Sequence, residues 1–173
     1  MNSFSEAFED LVKDMYSAEK QILKALPKVA KAAQHPQLRE SIQLHMEQTK
    51  GQIERLDQVA QICGFKPTGK FCVGAQGLIA EMDEHLKEGE PGPVMDAAIV
   101  ALAQKVEHYE ICGYGTAREW ARLMGSAECE QLLEQNLDEE EQTDHLLTEL
   151  AEAQINEAAL NAPAAKPKPK QAK

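Results

Sequence analysis

The sequence predicts an all-α fold, a bundle of four long helices with a long crossover connection that carries a short extra helix. Apolar residues recur at helical spacing along four long segments of the chain. Ala, Leu, Glu, Gln and Lys dominate, whereas glycine, proline and aromatic residues are too sparse for a β-sandwich. One long connection, residues 65–92, joins two pairs of helices with tight turns, and this is the ferritin-like arrangement.

The first pair of helices is bounded by turn residues. Apolar spacing from residue 4 to residue 29 predicts the first helix, within which Pro27 can introduce a kink or a local break. The second helix is predicted from about residue 37 to residue 63. Pro36 suits the opening of that helix, and Gly64 suits its end.

The connection and the second pair of helices show similar signals. A shorter helix is predicted over residues 75–87, before a segment rich in glycine and proline. The third long helix is predicted from about residue 94 to residue 124 and ends at Gly125. The fourth is predicted from residue 126 to about residue 159, with Ser126 as its N-cap.

Composition limits the classes of function that this chain can serve. Residues 1–160 are predicted to form the bundle domain, followed over residues 161–173 by a disordered basic tail rich in Pro, Ala and Lys. The formal net charge of −11 argues against nucleic-acid binding by the bundle, and the lysines of the tail offer weak contact at most. Because the sequence lacks a membrane-spanning apolar stretch and a signal peptide, we expect a cytoplasmic protein.

The cysteines are scattered and form no CxxC pair, which argues against a zinc knuckle. We therefore expect reduced thiols, as is usual in a cytoplasm. The four cysteines are Cys63, Cys72, Cys112 and Cys129.

Several polar residues fall on the apolar stripes when each helix is projected at about 100° per residue. Thr49 and Gln52 share the stripe of the second helix, and Glu107 lies at the edge of the stripe of the third. For Glu107 a solvated position fits as well as a ligand position. The candidate metal ligands are Glu19, His45, Glu107, Glu110, Glu140 and Asp144.

These candidates come from all four long helices and are predicted to lie at similar heights in the bundle. Counted from the tight turns, Glu110 lies opposite Glu140, and Glu107 pairs with Asp144 about one turn further along. Buried carboxylates repel one another and require neutralisation. Oxygen ligands with a histidine suit iron or manganese, in a single or di-metal centre. The alternative is a polar core layer in which the acids pair with neighbouring side chains.

Four segments resemble the bacterial YciE/YciF-like family, with its YciF-like branch as the nearer match. They are YSAEKQI (16–22), HMEQTKGQIERLDQV (45–59), QKVEHYEICGYGT (104–116) and EEEQTDHLLTEL (139–150). The resemblance covers nearly the whole chain except the tail. It implies a cytoplasmic, stress-associated protein with a ferritin-like, rubrerythrin-like fold, a homodimer and a proposed di-metal centre.

The resemblance also implies a ligand pattern, from which this chain departs on the second helix. Rubrerythrin-like sites carry a Glu on the first helix, ExxH on the second, Glu on the third and ExxH on the fourth. Glu19 matches the first position, residues 107–110 resemble the third, and the fourth helix offers Glu140 with Asp144 in place of ExxH. The second helix presents Thr49-Lys50-Gly51-Gln52 at the matching height, which leaves His45 and, more weakly, Gln52 as donors. An asymmetric pair, a single metal ion and a structural layer all remain open.

Two functions fit these residues. The first is a metal-dependent oxidoreductase of the peroxidase, catalase or ferroxidase type, acting on peroxide, oxygen or iron(II). The second is a non-enzymatic dimeric stress or scaffold protein whose core acids are structural. Ala97, Ala101 and Cys112 support the second, because they form a face of small residues away from the acids.

Overall fold

Helices account for the regular secondary structure of residues 2–163, the part of the chain that this computed structural model describes. No strand occurs among these residues, and the predicted all-α fold is confirmed. A π-helical turn (Ala151–Ile155) follows the fifth helix. The helices are α1 (Phe4–Ala32), α2 (Pro36–Cys63), α3 (Val73–Glu88), α4 (Pro93–Leu123), α5 (Ala127–Leu150) and α6 (Asn156–Leu160). The predicted tail lies, from residue 164 onward, outside the described residues.

The helix ends follow the predicted turn chemistry. Pro36 occupies the first turn of α2, where its missing N–H costs nothing. Gly64 ends α2 with φ of 77°, and Gly125 separates α4 from α5 with φ of 75°. Both angles lie in the left-handed region, which glycine adopts without a Cβ clash. The turn at Gly125 therefore sets the antiparallel pair of α4 and α5, whereas Gly64 opens the long connection to α3.

Two local features differ from the sequence prediction. Helix α1 continues through Pro27 without a break. Pro27 is exposed, so the carbonyl that it leaves without a helical donor can face water. Ser126 is the N-cap of α5, as predicted, but its side chain makes no capping hydrogen bond.

The four long helices form a ring in which each contacts two others. Helix α1 packs on α2 and α4, α5 packs on the same two helices, and α3 covers α1 and α4 from outside. An end cluster of apolar side chains, including Leu38, Ile99 and Leu147, fills one end of the bundle. A second cluster, including Leu56 and Leu133, fills the other. The predicted ligands lie between these clusters along each helix.

The buried carboxylate of Asp96, in the first turn of α4, binds the turn between α1 and α2. Asp96 accepts hydrogen bonds from the backbone N–H of Gln34 at 2.8 Å and of His35 at 3.0 Å. These bonds hold the turn between α1 and α2 against the start of α4.

No helix of residues 2–163 has both the length and the apolar sequence that crossing a lipid bilayer would require.

Candidate metal centre

Helical periodicity turns one polar side chain from α1, one from α2, two from α4 and one from α5 into the same layer of the bundle. They are Glu19, His45, Glu107, Glu110 and Glu140, and all five are buried. Glu107 is only 3% exposed, so the structure places it in the core rather than at a solvated edge. The layer therefore contains four carboxyl groups and one imidazole.

Four of these residues form a compact group of potential ligands, which we call the ligand cluster: His45, Glu107, Glu110 and Glu140. One donor atom from each lies within 4.8 Å of the donor atoms of the other three. The Nε2 atom of His45 is 3.7 Å from Glu107 Oε1, and its Nδ1 atom is 3.8 Å from Glu140 Oε2. These separations exceed a hydrogen bond, so the imidazole of His45 is not hydrogen-bonded to either carboxyl group.

The donor atoms of the ligand cluster lack the partners that buried polar atoms normally have. Both nitrogens of His45 and both oxygens of Glu110 and Glu140 make no hydrogen bond within residues 2–163. Glu107 Oε2 and Glu19 Oε2 are likewise unpartnered in that part of the chain. Buried polar atoms are rarely left in this state, because each loses its hydration without compensation. Several such atoms converging on one space fit a cation, and this oxygen-rich set with one imidazole suits iron or manganese.

Burial and repulsion by neighbouring carboxylates raise the pKa values of three acids in the layer, Glu19, Glu107 and Glu110. Burial, with the charge of Glu140, raises the pKa of Glu19 from 4.5 to about 8, although the hydrogen bond from Tyr114 opposes this shift. Burial first, and the neighbouring carboxylates second, raise the pKa values of Glu107 and Glu110 well above their usual range. Without a cation, the layer therefore retains protons at neutral pH.

Tyr114 is a functional candidate that the sequence analysis missed. Its hydroxyl donates a hydrogen bond to Glu19 Oε1, and both side chains are fully buried. This bond fixes one oxygen of Glu19 and leaves the other without a partner. Tyr114 lies four residues after Glu110 on α4, so it shares the inward face. The spacing of four residues from Glu110 could have identified Tyr114 as core-facing from the sequence.

The α2 side of the layer is poor in charged ligands, as predicted. Thr49 donates its hydroxyl proton to the backbone oxygen of His45 at 2.8 Å, so that hydroxyl is already engaged. Gln52 is fully buried, and neither atom of its side-chain amide has a partner among the described residues. On α5, the side-chain amide of Asn136 donates a hydrogen bond to the backbone oxygen of Gln52 at 3.4 Å and accepts one from Arg55. His45 is thus the α2 residue within the ligand cluster.

Asp144 lies outside the ligand cluster. It accepts a hydrogen bond from Gln104 Nε2 at 3.0 Å, and its carboxylate lies 3.5 Å from His108 Nε2 near the surface. Its charge still contributes to the raised pKa of Glu107, so it borders the layer. The structure thus brings five of the six predicted ligands into the layer and places Asp144 at its rim.

Similar proteins are known. A family model described as a domain of unknown function, DUF892, matches residues 3–160. Protein YciF of Escherichia coli strain K12 is 43% identical over 162 residues, which cover 93% of this chain and 98% of YciF. The crystal structure of the E. coli stress protein YciF matches with a TM-score of 0.86 and 43% identity, covering 90% of this chain and 99% of the other. YcfI of Rhodopseudomonas palustris matches with a TM-score of 0.83 and 42% identity, covering 86% and 94%.

Proposed function

This chain belongs to the DUF892 family of YciF-like proteins, and from that premise we propose that its ligand cluster binds iron or manganese. One observation carries the proposal. Donor atoms of His45, Glu107, Glu110 and Glu140 lie within 4.8 Å of one another, and most are buried without a hydrogen-bond partner. A divalent cation would neutralise the carboxylates and satisfy these atoms together.

The basic residues near the layer support a cation rather than internal ion pairs. Arg55 reaches toward this part of the bundle from α2, but its guanidinium donates to Asn136 and Glu139. The imidazole of His45 is the basic group within the ligand cluster itself. One imidazole cannot balance three carboxylates, so the acids of the cluster can all ionise at neutral pH only with an added cation.

At such a site, the side chains of this protein would have separate roles. His45, Glu107, Glu110 and Glu140 would hold the ion, while Tyr114 fixes Glu19 beside them through its hydrogen bond. The two end clusters of apolar side chains exclude bulk water above and below the layer. Bound iron or manganese would supply one-electron redox chemistry toward oxygen or peroxide.

We propose on this basis a redox role in stress, in which iron(II) is oxidised or peroxide is removed. The description of YciF as a stress protein is consistent with that role. A cytoplasmic location, where iron(II) is available, accords with the proposal.

Metal content per chain tests the proposal directly. Purified protein is loaded anaerobically with iron(II) or manganese(II), desalted, and compared with Glu110→Gln, which keeps the side-chain volume but removes a charge. We expect one or two ions per chain in the wild type and a loss in the variant. Glu54→Gln is the matched control, since Glu54 lies exposed on the outer face of α2. Equal metal content in Glu110→Gln and the wild type would refute the assigned ligands.

A metal-free structural layer is the second candidate. The pKa of about 8 for Glu19 favours it, because a protonated acid needs no cation at neutral pH. In that case the wild type would bind no metal in the loading experiment. A Glu19→Ala, Glu110→Ala double variant that folds would also retain stress protection, which then rests on partner binding.

A further inference from the structure

Two cysteines that are distant in the sequence meet at one end of the bundle. Cys63 is the last residue of α2, and Cys129 lies in the first turn of α5. Their Sγ atoms are 3.7 Å apart, although 66 positions separate them in the chain. Among the cysteines, all of which lie in the described residues, this is the pair with sulfur atoms in contact.

The surroundings of the pair differ on its two sides. Cys63 is exposed and open to a small oxidant in solution, whereas Cys129 is fully buried within the second apolar cluster. The other thiols are placed differently. Cys72 is engaged with Asp14 at 3.1 Å and with the hydroxyl of Tyr109 at 2.9 Å, and Cys112 is exposed on α4.

We propose that Cys63 and Cys129 are a modification site, a dithiol that peroxide converts into an intramolecular disulfide. A disulfide needs its sulfur atoms about 2.05 Å apart. The present contact of 3.7 Å must therefore shorten by less than about 2 Å. The proposal stands on this contact and on the exposure of Cys63, and does not depend on metal binding.

The chemistry balances with hydrogen peroxide as the oxidant. The Cys63 thiolate attacks one peroxide oxygen, the O–O bond breaks, and the departing hydroxide takes up a proton to become water. The sulfur of Cys129 then attacks Sγ of the Cys63 sulfenic acid, losing its own proton, and a second water leaves. In sum, two thiols and one peroxide give one disulfide and two waters, with two electrons passing from sulfur to oxygen.

This disulfide would form under sustained rather than brief oxidation. Partial burial of its sulfur and the neighbouring Cys129 thiol raise the pKa of Cys63 to about 11, so the reactive thiolate is scarce at neutral pH. Once formed, the bond would join the end of the first helical hairpin to the start of α5, next to the turn of the second hairpin. Without the disulfide, the two hairpins are linked covalently only through the connection that carries α3. The added bond would therefore restrain unfolding of the bundle.

The test follows thiols and cross-links in the full chain. Purified metal-free protein is incubated for hours with millimolar hydrogen peroxide, then unreacted thiols are alkylated and the protein is weighed by mass spectrometry. We expect two alkylated thiols instead of four, a Cys63–Cys129 cross-linked peptide, and a rise in Tm of roughly 5–15 °C that a reductant reverses. Cys112→Ser should retain the cross-link, and Cys63→Ser should lose it.

Three results would overturn the proposal. One is a dimer on a non-reducing gel that accounts for the lost thiols, and another is Cys63 driven to sulfinic acid without a cross-link. The third is four free thiols after treatment with diamide, an oxidant that converts pairs of thiols into disulfides. Circular dichroism of Cys63→Ser separates loss of the cross-link from loss of the fold, since the exposed side chain is dispensable for packing.

Discussion

Replacing Glu19 by glutamine is expected to flatten the pH dependence of the stability of the metal-free protein. Glu19 is fully buried, and its pKa rises from 4.5 in the unfolded chain to about 8 in the fold. The folded state therefore keeps the proton while the unfolded state releases it. Because the unfolded state binds fewer protons between these values, the stability contributed by Glu19 is present below pH 4.5 and falls as pH rises to about 8.

The magnitude follows from the width of that window. Each pH unit between the two pKa values costs about 1.4 kcal/mol of unfolding free energy. At pH 7 the loss relative to pH 4.5 is therefore about 3 kcal/mol. Glutamine carries no ionisable proton, and its side-chain oxygen can still accept the hydrogen bond of Tyr114. Its buried amide group costs about 1 kcal/mol if unpaired. We thus expect the metal-free Glu19→Gln variant to be about 1–3 kcal/mol more stable than the wild type at pH 7.

Urea denaturation followed by circular dichroism, in the presence of EDTA, measures this difference at pH 4.5, 7 and 8.5. At pH 4.5 the variant should match the wild type or be about 1 kcal/mol less stable, and it should become the more stable protein as pH rises. Glu54→Gln, on the exposed face of α2, should follow the wild type at each pH. Parallel pH profiles for Glu19→Gln and the wild type would refute the reasoning, because Glu19 would then ionise equally well in the folded and unfolded states.

Three further changes test the core, the first turn and the metal centre. Leu56→Ala should lower the unfolding free energy by about 2–5 kcal/mol in urea melts, because Leu56 is fully buried, whereas exposed Leu44→Ala should change it by less than about 0.5 kcal/mol. Asp96→Ala removes both acceptors for the turn before α2, so we expect a loss of about 2 kcal/mol and faster amide exchange at Gln34. Manganese(II) at 100 times its Kd should raise the wild-type Tm by roughly 5–10 °C, and His45→Ala should abolish most of that rise in thermal melts.

Much of the architecture and the nature of the candidate site follow from periodicity alone. The spacing of apolar residues predicts four long helices, and glycines such as Gly64 and Gly125 mark where they end. The same spacing identifies Glu19, Glu110 and Glu140 as core-facing, because a helix of 3.6 residues per turn sets the direction of each side chain about its own axis. An inward direction near the centre of an apolar stripe survives small errors in that projection.

Only the tertiary structure decided which of these groups meet. Glu107 and Asp144 were predicted as a pair, yet Glu107 is buried in the ligand cluster, while Asp144 bonds to Gln104 at the rim. Positions at the edge of a stripe depend on the rotation and axial offset of neighbouring helices, which the interlocking of side chains from both helices determines. The contact between Cys63 and Cys129 depends on the same offsets, between helices that are far apart in the chain. Periodicity describes which way the side chains of a single helix point, whereas such contacts depend on how two helices pack against each other.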